Sequence, residues 1–473
     1  MSAQAQFSWY AMASHFSERS LGRISSMGGR EHDYFGWALI AFVAFAPIPL
    51  GSNRPFFWMF NALVVALIGA AYSVSLFRKS VRPRIALSDL GLPVVLFTLA
   101  VVWLALQILP LGLLPHPSWI NLDGGSGGAI SAAPGETFAM LVRYVTYALF
   151  FVLAVQVFVN RSRAHRLLNV LFWVAVAESL LALASLYQFG DVLLFFKKTA
   201  YEGNATGTFV NRNTFATFSG LGIVIGIALL FGDGLRGNQG RVRWIDLVFG
   251  RSGVLTIGML VIAFGLAVSQ SRMGIFVAGA GAVTVLVLSL FRASGARRSV
   301  AFVTIAGIVL AGVGLTATGG ILFERLWDVD QSADIRMSAY QQTGQLIAQH
   351  PWLGSGGGSF KDTFNAVRHL PVSSDVVWDK AHDLYLELSV DLGIPLAICV
   401  VLAVLLFAWR CLSTTIRRQE SWEIPAASVG ATVLVGLHSL VDFSMQIEAV
   451  VLFYLTILAA GVAQSTQVRK SSI

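Results

Sequence analysis

The sequence predicts an all-α integral membrane protein, a bundle of about twelve spanning helices with one large loop on its outer side. Three observations predict it. Hydrophobic residues make up 56% of the chain and charged residues only 12%, whereas a soluble domain carries about 25% charge. Apolar runs of about 20 residues, the length that crosses a bilayer, recur along almost the whole chain. One long polar stretch breaks this rhythm, the 63 residues from Gly319 to Ala381. An insert of that length among short linkers carries function more often than it serves as a connection. It reads as a lid over a polar site at the membrane surface.

The apolar runs fall near 34–52, 56–77, 88–109, 137–159, 166–188, 213–232, 253–270, 273–292, 300–318, 386–409, 425–445 and 448–465. The chain therefore divides into a tail over 1–33, helices one to nine over 34–318, the loop over 319–381, helices ten to twelve over 382–465, and a second tail over 466–473. Residues 1–30 lack the basic-then-apolar pattern of a cleavable signal, so the first helix is expected to act as the anchor.

Charge sets the orientation. Of 33 Lys and Arg, 22 lie in alternate linkers, from Arg19, Arg23 and Arg30 at one end to Arg469 and Lys470 at the other. Seven linkers agree, so they face the cytoplasm and both termini are inside. That bias accounts for these 22 without any function. The net charge of +8 is thus no sign of a nucleic-acid partner. The other 11 are Arg54, Arg143, Lys197, Lys198, Arg212, Arg272, Arg325, Arg336, Lys361, Arg368 and Lys380, and all but Arg143 lie in outward-facing segments. The large loop is then external, and periplasmic in a Gram-negative cell. No ATP is available there, so an enzyme on that side needs a substrate that is already activated.

Two cysteines, Cys399 and Cys411, sit on one predicted helix, roughly 18 Å apart at 1.5 Å per residue and so too far to pair. No Cys/His cluster has zinc spacing. Neither metal nor cofactor is expected.

The candidate chemistry lies on the outward side. Arg272, in VSQSRMGIF, occupies a tight turn between two helices, where a guanidinium can grip a phosphate with two hydrogen bonds or snorkel to headgroups. Arg212, in GNATGTFVNRNTFA, precedes a helix expected to begin at Asn213 or Thr214, and helix N-termini attract anions. Arg336 follows Ser332 and Asp334, either of which suits the cap of a short helix with Ile335, Leu346 and Ile347 resting against the bundle. It points into the site or pairs with Asp334 or Glu324. His382 marks the return of the loop to the membrane, with Asp383 and Glu387 as neighbours that would orient it. An imidazole there can accept a hydroxyl proton at neutral pH, although a lone histidine is more often structural. His438 and Asp442 are four apart, which places both on one helix face. They form a site or a buried pair that locks helices. Arg143, about two turns deep, and Glu178, mid-helix, raise the same question. The GSGGGS run at 354–359 lacks the Lys-Ser/Thr of a nucleotide loop and reads as a flexible turn that lets backbone approach a ligand.

Together, GSNRPFFW, GTFVNRNTFA, SQSRMG, HPWLGSGGGSF and AHDLYLELSVDLGIPLA resemble the bacterial O-antigen ligase and Wzy-type polymerase superfamily. The last motif is the most specific, with His382, Asp383, nine residues and then Gly393. The closing HSLVDFSMQIEAV resembles the exopolysaccharide-polymerase branch. The resemblance implies a GT-C-like membrane bundle and a metal-independent inverting glycosyltransferase. It implies a glycan on undecaprenyl pyrophosphate as donor and a second glycan as acceptor, at the periplasmic face of the inner membrane. A flippase and a chain-length regulator would be partners. Carried over by position, Arg272 and Arg336 grip the diphosphate, Arg212 is a third grip, and His382 is the base. Asp383 stands where the family usually has an amide or hydroxyl, and Leu396 where ligases often have Thr. Both departures favour a polymerase over a ligase acting on lipid A-core. The competing classes are a transporter of lipid-linked sugars, disfavoured because no internal repeat is visible, and a structural scaffold, which would leave the outward arginines unexplained.

Overall fold

The computed structural model describes residues 29–112, 114–117, 128–194, 196–234, 250–292, 331–373, 375, 377–418 and 421–466. In chain order the principal helices are α1 (Gly29–Phe45), α2 (Pro55–Arg78), α3 (Leu92–Ile108), α4 (Pro134–Phe158), α5 (Arg161–Tyr187), α6 (Arg212–Leu229) and α7 (Arg251–Val268). They continue with α8 (Arg272–Arg292), α9 (Gln331–Gln349), α10 (Phe360–Val367), α11 (Leu384–Leu392), α12 (Ile394–Arg417), α13 (Glu423–His438) and α14 (Glu448–Ser465). A two-stranded hairpin, Val192–Leu193 against Phe196–Lys197, follows α5.

Among the described residues, eight helices are long and apolar enough to cross a membrane: α2, α4, α5, α6, α7, α8, α12 and α14. The apolar helices α3 and α13 are shorter, at 17 and 16 residues. The predicted ninth run, 300–318, and the first part of the loop, 319–330, lie outside the described residues.

The bundle is layered. α6 and α14 are buried along 89% of their apolar windows, whereas α2 and α12 are buried along only 22%. The first pair therefore forms the centre, and the second presents its side chains outward, as lipid-facing helices do. α8 and α13 pack on α6, while α14 lies between α13 and α4.

Proline and glycine set the boundaries. Pro55 and Pro134 open α2 and α4, where the missing N–H costs nothing. Three predicted runs are divided or shortened by the same residues. The first run ends at Phe45, just before Pro47 and Pro49. The third is split at Gly91 into the single turn Leu87–Leu90 and α3. The tenth is split at Gly393 into α11 and α12. Gly393 has φ +78, and an added Cβ would lie 2.4 Å from the Trp352 carbonyl oxygen. Only glycine fits both demands.

The loop over 331–381 has a core of its own. Ala339, Leu346, Phe360, Phe364 and Val372 cluster with Ala381 and with Val390 of α11. Leu346 and Ile347 thus pack in the loop's own cluster, with Phe360 and Phe364 of α10, rather than in the main core of the bundle. Helix α9 begins at Gln331, so Ser332 and Asp334 lie within its first turn and not ahead of it.

The GSGGGS run is a clamp. Gln107 of α3 donates to the Leu353 and Asp391 carbonyls, each at 2.9 Å, and accepts from the Gly357 N–H at 3.1 Å. The Ser355 N–H donates to Val390 O at 2.7 Å, and Ser355 O accepts from the Ala132 N–H at 2.8 Å. A Cβ on Gly356 would stand 2.2 Å from Ser131 Oγ. The glycines admit neighbouring chain at close range, and the neighbours are α3, α4 and α11 rather than a ligand.

Candidate active site

The site is assembled from four segments at one end of the bundle. The first is the turn into α11. His382 has φ +57, a left-handed conformation unusual for a side-chain-bearing residue. The neighbouring residues hold it there: Asp383 caps α11, its Oδ1 accepting from the Tyr385 N–H at 2.8 Å and the Leu386 N–H at 3.0 Å. The Tyr340 hydroxyl of α9 donates to His382 O at 3.1 Å, and the Leu384 N–H donates to Ser439 O at 2.8 Å. The imidazole stands edge-on between Trp378, at 5.8 Å, and Phe443, at 5.1 Å. Its Nδ1 is buried without a hydrogen-bond partner. Burial first, and then the charge of Arg336, lower the His382 pKa below its usual value, while Asp442, Glu387 and Asp379 pull the other way. The ring is therefore neutral at neutral pH and free to take a proton.

The second segment is α9. Arg336 is close enough to reach His382, Tyr340 and Tyr201 electrostatically. The third is the loop before α6. Arg212 is the first residue of α6, capped by Asn211, whose Oδ1 accepts from the Asn213 N–H at 2.7 Å. Its guanidinium lies over the Tyr201 ring at 5.6 Å and donates to Asn204 Oδ1 at 3.2 Å. Tyr201 thus lies within electrostatic reach of both Arg212 and Arg336. The fourth is the end of α13 with the turn behind it. Asp442 Oδ1 accepts from Asn213 Nδ2 at 3.0 Å, and Asn213 Oδ1 accepts from Ser271 Oγ at 2.8 Å. Through that chain the tight α7–α8 turn joins the site, with Arg272 exposed beside Ser271.

Several sequence expectations are revised by the geometry. His438 and Asp442 do not share a helix face: α13 ends at His438, and Asp442 lies in the turn beyond it. They do not bond each other. His438 Nδ1 bonds Thr217 Oγ1 at 2.6 Å, and Asp442 Oδ2 accepts from the Ser444 N–H at 2.8 Å. Asp383 is occupied as a helix cap. Glu387 shapes the same turn, accepting from the Ala381 N–H at 2.8 Å with Lys380 Nζ 3.5 Å away. Glu178 accepts from the Thr208 N–H at 3.1 Å, which pins the GTF loop to α5.

Arg143 lies apart from His382. Its guanidinium stacks on Trp58 at 4.4 Å, donates to Tyr147 OH at 3.2 Å and to Gln446 O, and lines a cavity of about 330 Å³. Lys380, Glu387 and Tyr385 line that cavity's polar side, and Val401, Val404 and Leu455 its apolar side. The cavity and His382 thus flank the same turn, residues 380–387. Of the outward cations, Lys198 is tied to Asp191 at 2.5 Å and to Asn204 O at 2.7 Å. Sequence reading passed over Tyr201, Tyr340, Trp378 and Phe443. Each lies within a few residues of a motif, but an aromatic in an apolar chain carries no signal of its own.

The fold and site define a multi-pass membrane protein that gathers a neutral histidine and arginines under a loop at one end of its bundle. Residues 257–401, which carry Arg272, Arg336 and His382, match the O-antigen ligase family model, so this part of the chain is similar to the O-antigen ligase/Wzy superfamily. That similarity supports a membrane glycosyl-transferring enzyme of the ligase/polymerase kind. No curated protein matches it.

Proposed function

We propose that the protein polymerises exopolysaccharide or O-antigen repeat units, moving a glycan from undecaprenyl pyrophosphate to a sugar hydroxyl. The observation that carries this reading is His382, neutral and strained, with Arg336 beside it. The acceptor oxygen attacks the anomeric carbon as the carbon–oxygen bond to the pyrophosphate breaks. The hydroxyl proton passes to the His382 imidazole, and undecaprenyl pyrophosphate departs with the electron pair, inverting the anomeric centre. Arg336, Arg212 and Arg272 stabilise the charge that grows on the diphosphate, as preorganised donors do. The apolar side of the Arg143 cavity suits a prenyl segment of the donor.

In this reading the chain crosses the inner membrane twelve times, with residues 300–318 as the ninth helix, both tails cytoplasmic and the 319–381 loop periplasmic. A flippase would deliver the donor, and a chain-length regulator would set the product size. The test uses purified protein, lipid-pyrophosphate oligosaccharide from the host strain and EDTA, with products followed as a gel ladder. A ladder in wild type that is lost in His382→Ala and Arg272→Ala supports the polymerase. A single transfer onto lipid A-core would replace it with a ligase. Mutant-sensitive movement of the lipid across vesicles without transfer would replace it with a transporter.

A further inference from the structure

At the end of the bundle away from His382, buried polar groups stand without partners. Helices α1 and α5 begin there and run toward the site end. His32 of α1, Tyr72 of α2 and Arg163 of α5 are 1%, 4% and 5% exposed. Yet His32 Nδ1, the Tyr72 hydroxyl and Arg163 Nη2 lack any hydrogen-bond partner. The three are neighbours: the His32 and Tyr72 rings are 6.1 Å apart, and the charge of Arg163 reaches both. Arg84, from the turn after α2, reaches all three.

Burying one unpartnered donor is costly, and three at a single spot call for a common acceptor. Positive charge is in excess there. Arg163 spends Nε on Val157 O at 2.9 Å and Nη1 on Asp33 at 3.5 Å, and Asp33 is shared with Arg166 at 3.7 Å. A guanidinium, a phenol and an imidazole N–H are a donor set for a phosphate oxyanion. The chain between Tyr72 and Arg84 lines an open groove, through Ser73, Leu76, Phe77, Arg78, Val81 and Arg82. Phe77 is 87% exposed. Apolar walls with basic residues at the rim suit a lipid, with acyl chains outside and headgroup within.

We propose that His32, Tyr72, Arg84 and Arg163 form a phosphate-binding site that takes the headgroup of an anionic membrane phospholipid. The site is independent of the transfer chemistry and stands or falls separately from it.

The test is native mass spectrometry of the full chain in detergent with dihexanoyl phosphatidylglycerol, dihexanoyl phosphatidylcholine or inorganic phosphate. Wild type should bind the anionic lipid roughly tenfold more than the zwitterionic one, because both carry the same phosphodiester but the charges of Arg84 and Arg163 repel the choline ammonium. Arg163→Gln and Arg84→Gln should each lower that binding roughly tenfold. Tyr72→Phe removes a hydroxyl that nothing accepts from, so its melting temperature without lipid should match wild type while lipid binding falls. Equal binding of the two lipids, or full binding by Tyr72→Phe, would overturn the site. Displacement of the lipid by an equal concentration of inorganic phosphate would overturn the lipid as occupant.

Discussion

Two histidines stand near the same end of the bundle, and their surroundings divide their tasks. His438 closes a regular helix, is 2% exposed, and gives its Nδ1 to Thr217 on the central helix α6. His382 closes nothing. It is held at φ +57 between two aromatic rings, with its Nδ1 unpartnered and its charge state set by burial and an arginine from another segment. A left-handed residue costs about 1–3 kcal/mol and persists only when its surroundings over-determine it. Here the Tyr340 hydrogen bond, the Asp383 cap and the Leu384–Ser439 contact do so. Strain held in place by so many neighbours marks a functional position, whereas a histidine bonded across helices marks a joint.

The sharpest way to break this comparison is to remove each ring in turn. His382→Ala should lower transfer by about 10²–10⁴-fold, the usual worth of a positioned general base. It should leave the melting temperature near wild type, since no hydrogen bond of the ring is lost. His438→Ala should do the reverse, lowering stability while folded enzyme keeps most of its rate. Equal losses of rate in the two variants would erase the distinction.

The next effect is electrical. Arg336→Gln should cost about 10²–10³ in rate, as the loss of one preorganised donor does. It should also move the acid limb of the pH–rate profile. Arg336 lowers the His382 pKa, so in wild type the neutral ring survives below its usual value of 6.5. Without that charge the pKa rises toward 6.5, and activity is lost at a higher pH. The stability linkage has the matching sign. A histidine whose folded pKa is depressed contributes stability above its unfolded pKa, lost as pH falls through the folded one. A profile that stays in place in Arg336→Gln would remove the arginine from the histidine's surroundings.

Much of the frame was legible in the residues. Long apolar runs placed the helices, because that rule is local, but three of the runs were drawn across Pro47, Gly91 and Gly393, where the structure breaks them. The HDLYLELSVDLG motif, equally local, located the key turn. The tertiary arrangement was not legible. Nothing in the spacing of Tyr201, Arg212 and Arg336 says that one tyrosine lies within reach of two arginines drawn from different segments. The four-residue interval from His438 to Asp442 suggested one helix face, but α13 ends at the first of them. GSGGGS looked like a turn open to a ligand, and its glycines instead admit Gln107, Ser131 and the end of α11. Close approach is visible in such a run, but the identity of what approaches is not.

A smaller effect tests the cap. Asp383→Ala should cost about 1 kcal/mol, the ordinary worth of an N-cap, seen as a lower melting temperature in detergent. Asp383→Asn, which keeps an accepting oxygen, should recover most of it. If both variants melt as wild type does, the strained turn is held by Tyr340 and Ser439 alone.

The smallest expected effect concerns the joint itself. Thr217→Val keeps the shape of the side chain and removes the hydroxyl that His438 bonds, while Thr217 also donates to Asn213 O at 3.0 Å. Loss of an unmatched buried donor in water-soluble cores runs to about 1–3 kcal/mol. Bonds between helices in membranes average nearer about 0.6 kcal/mol, because the unfolded chain in lipid also finds partners. The second figure governs here, since α6 lies at the centre of the bundle and α13 packs directly on it. A melting temperature lowered by an amount worth about 0.6 kcal/mol, with transfer per folded molecule unchanged, would assign His438 to packing. A large loss of rate at unchanged stability would instead bring it into the chemistry, reaching His382 through Asn213 and Asp442, and the two histidines would then have to be treated as one system.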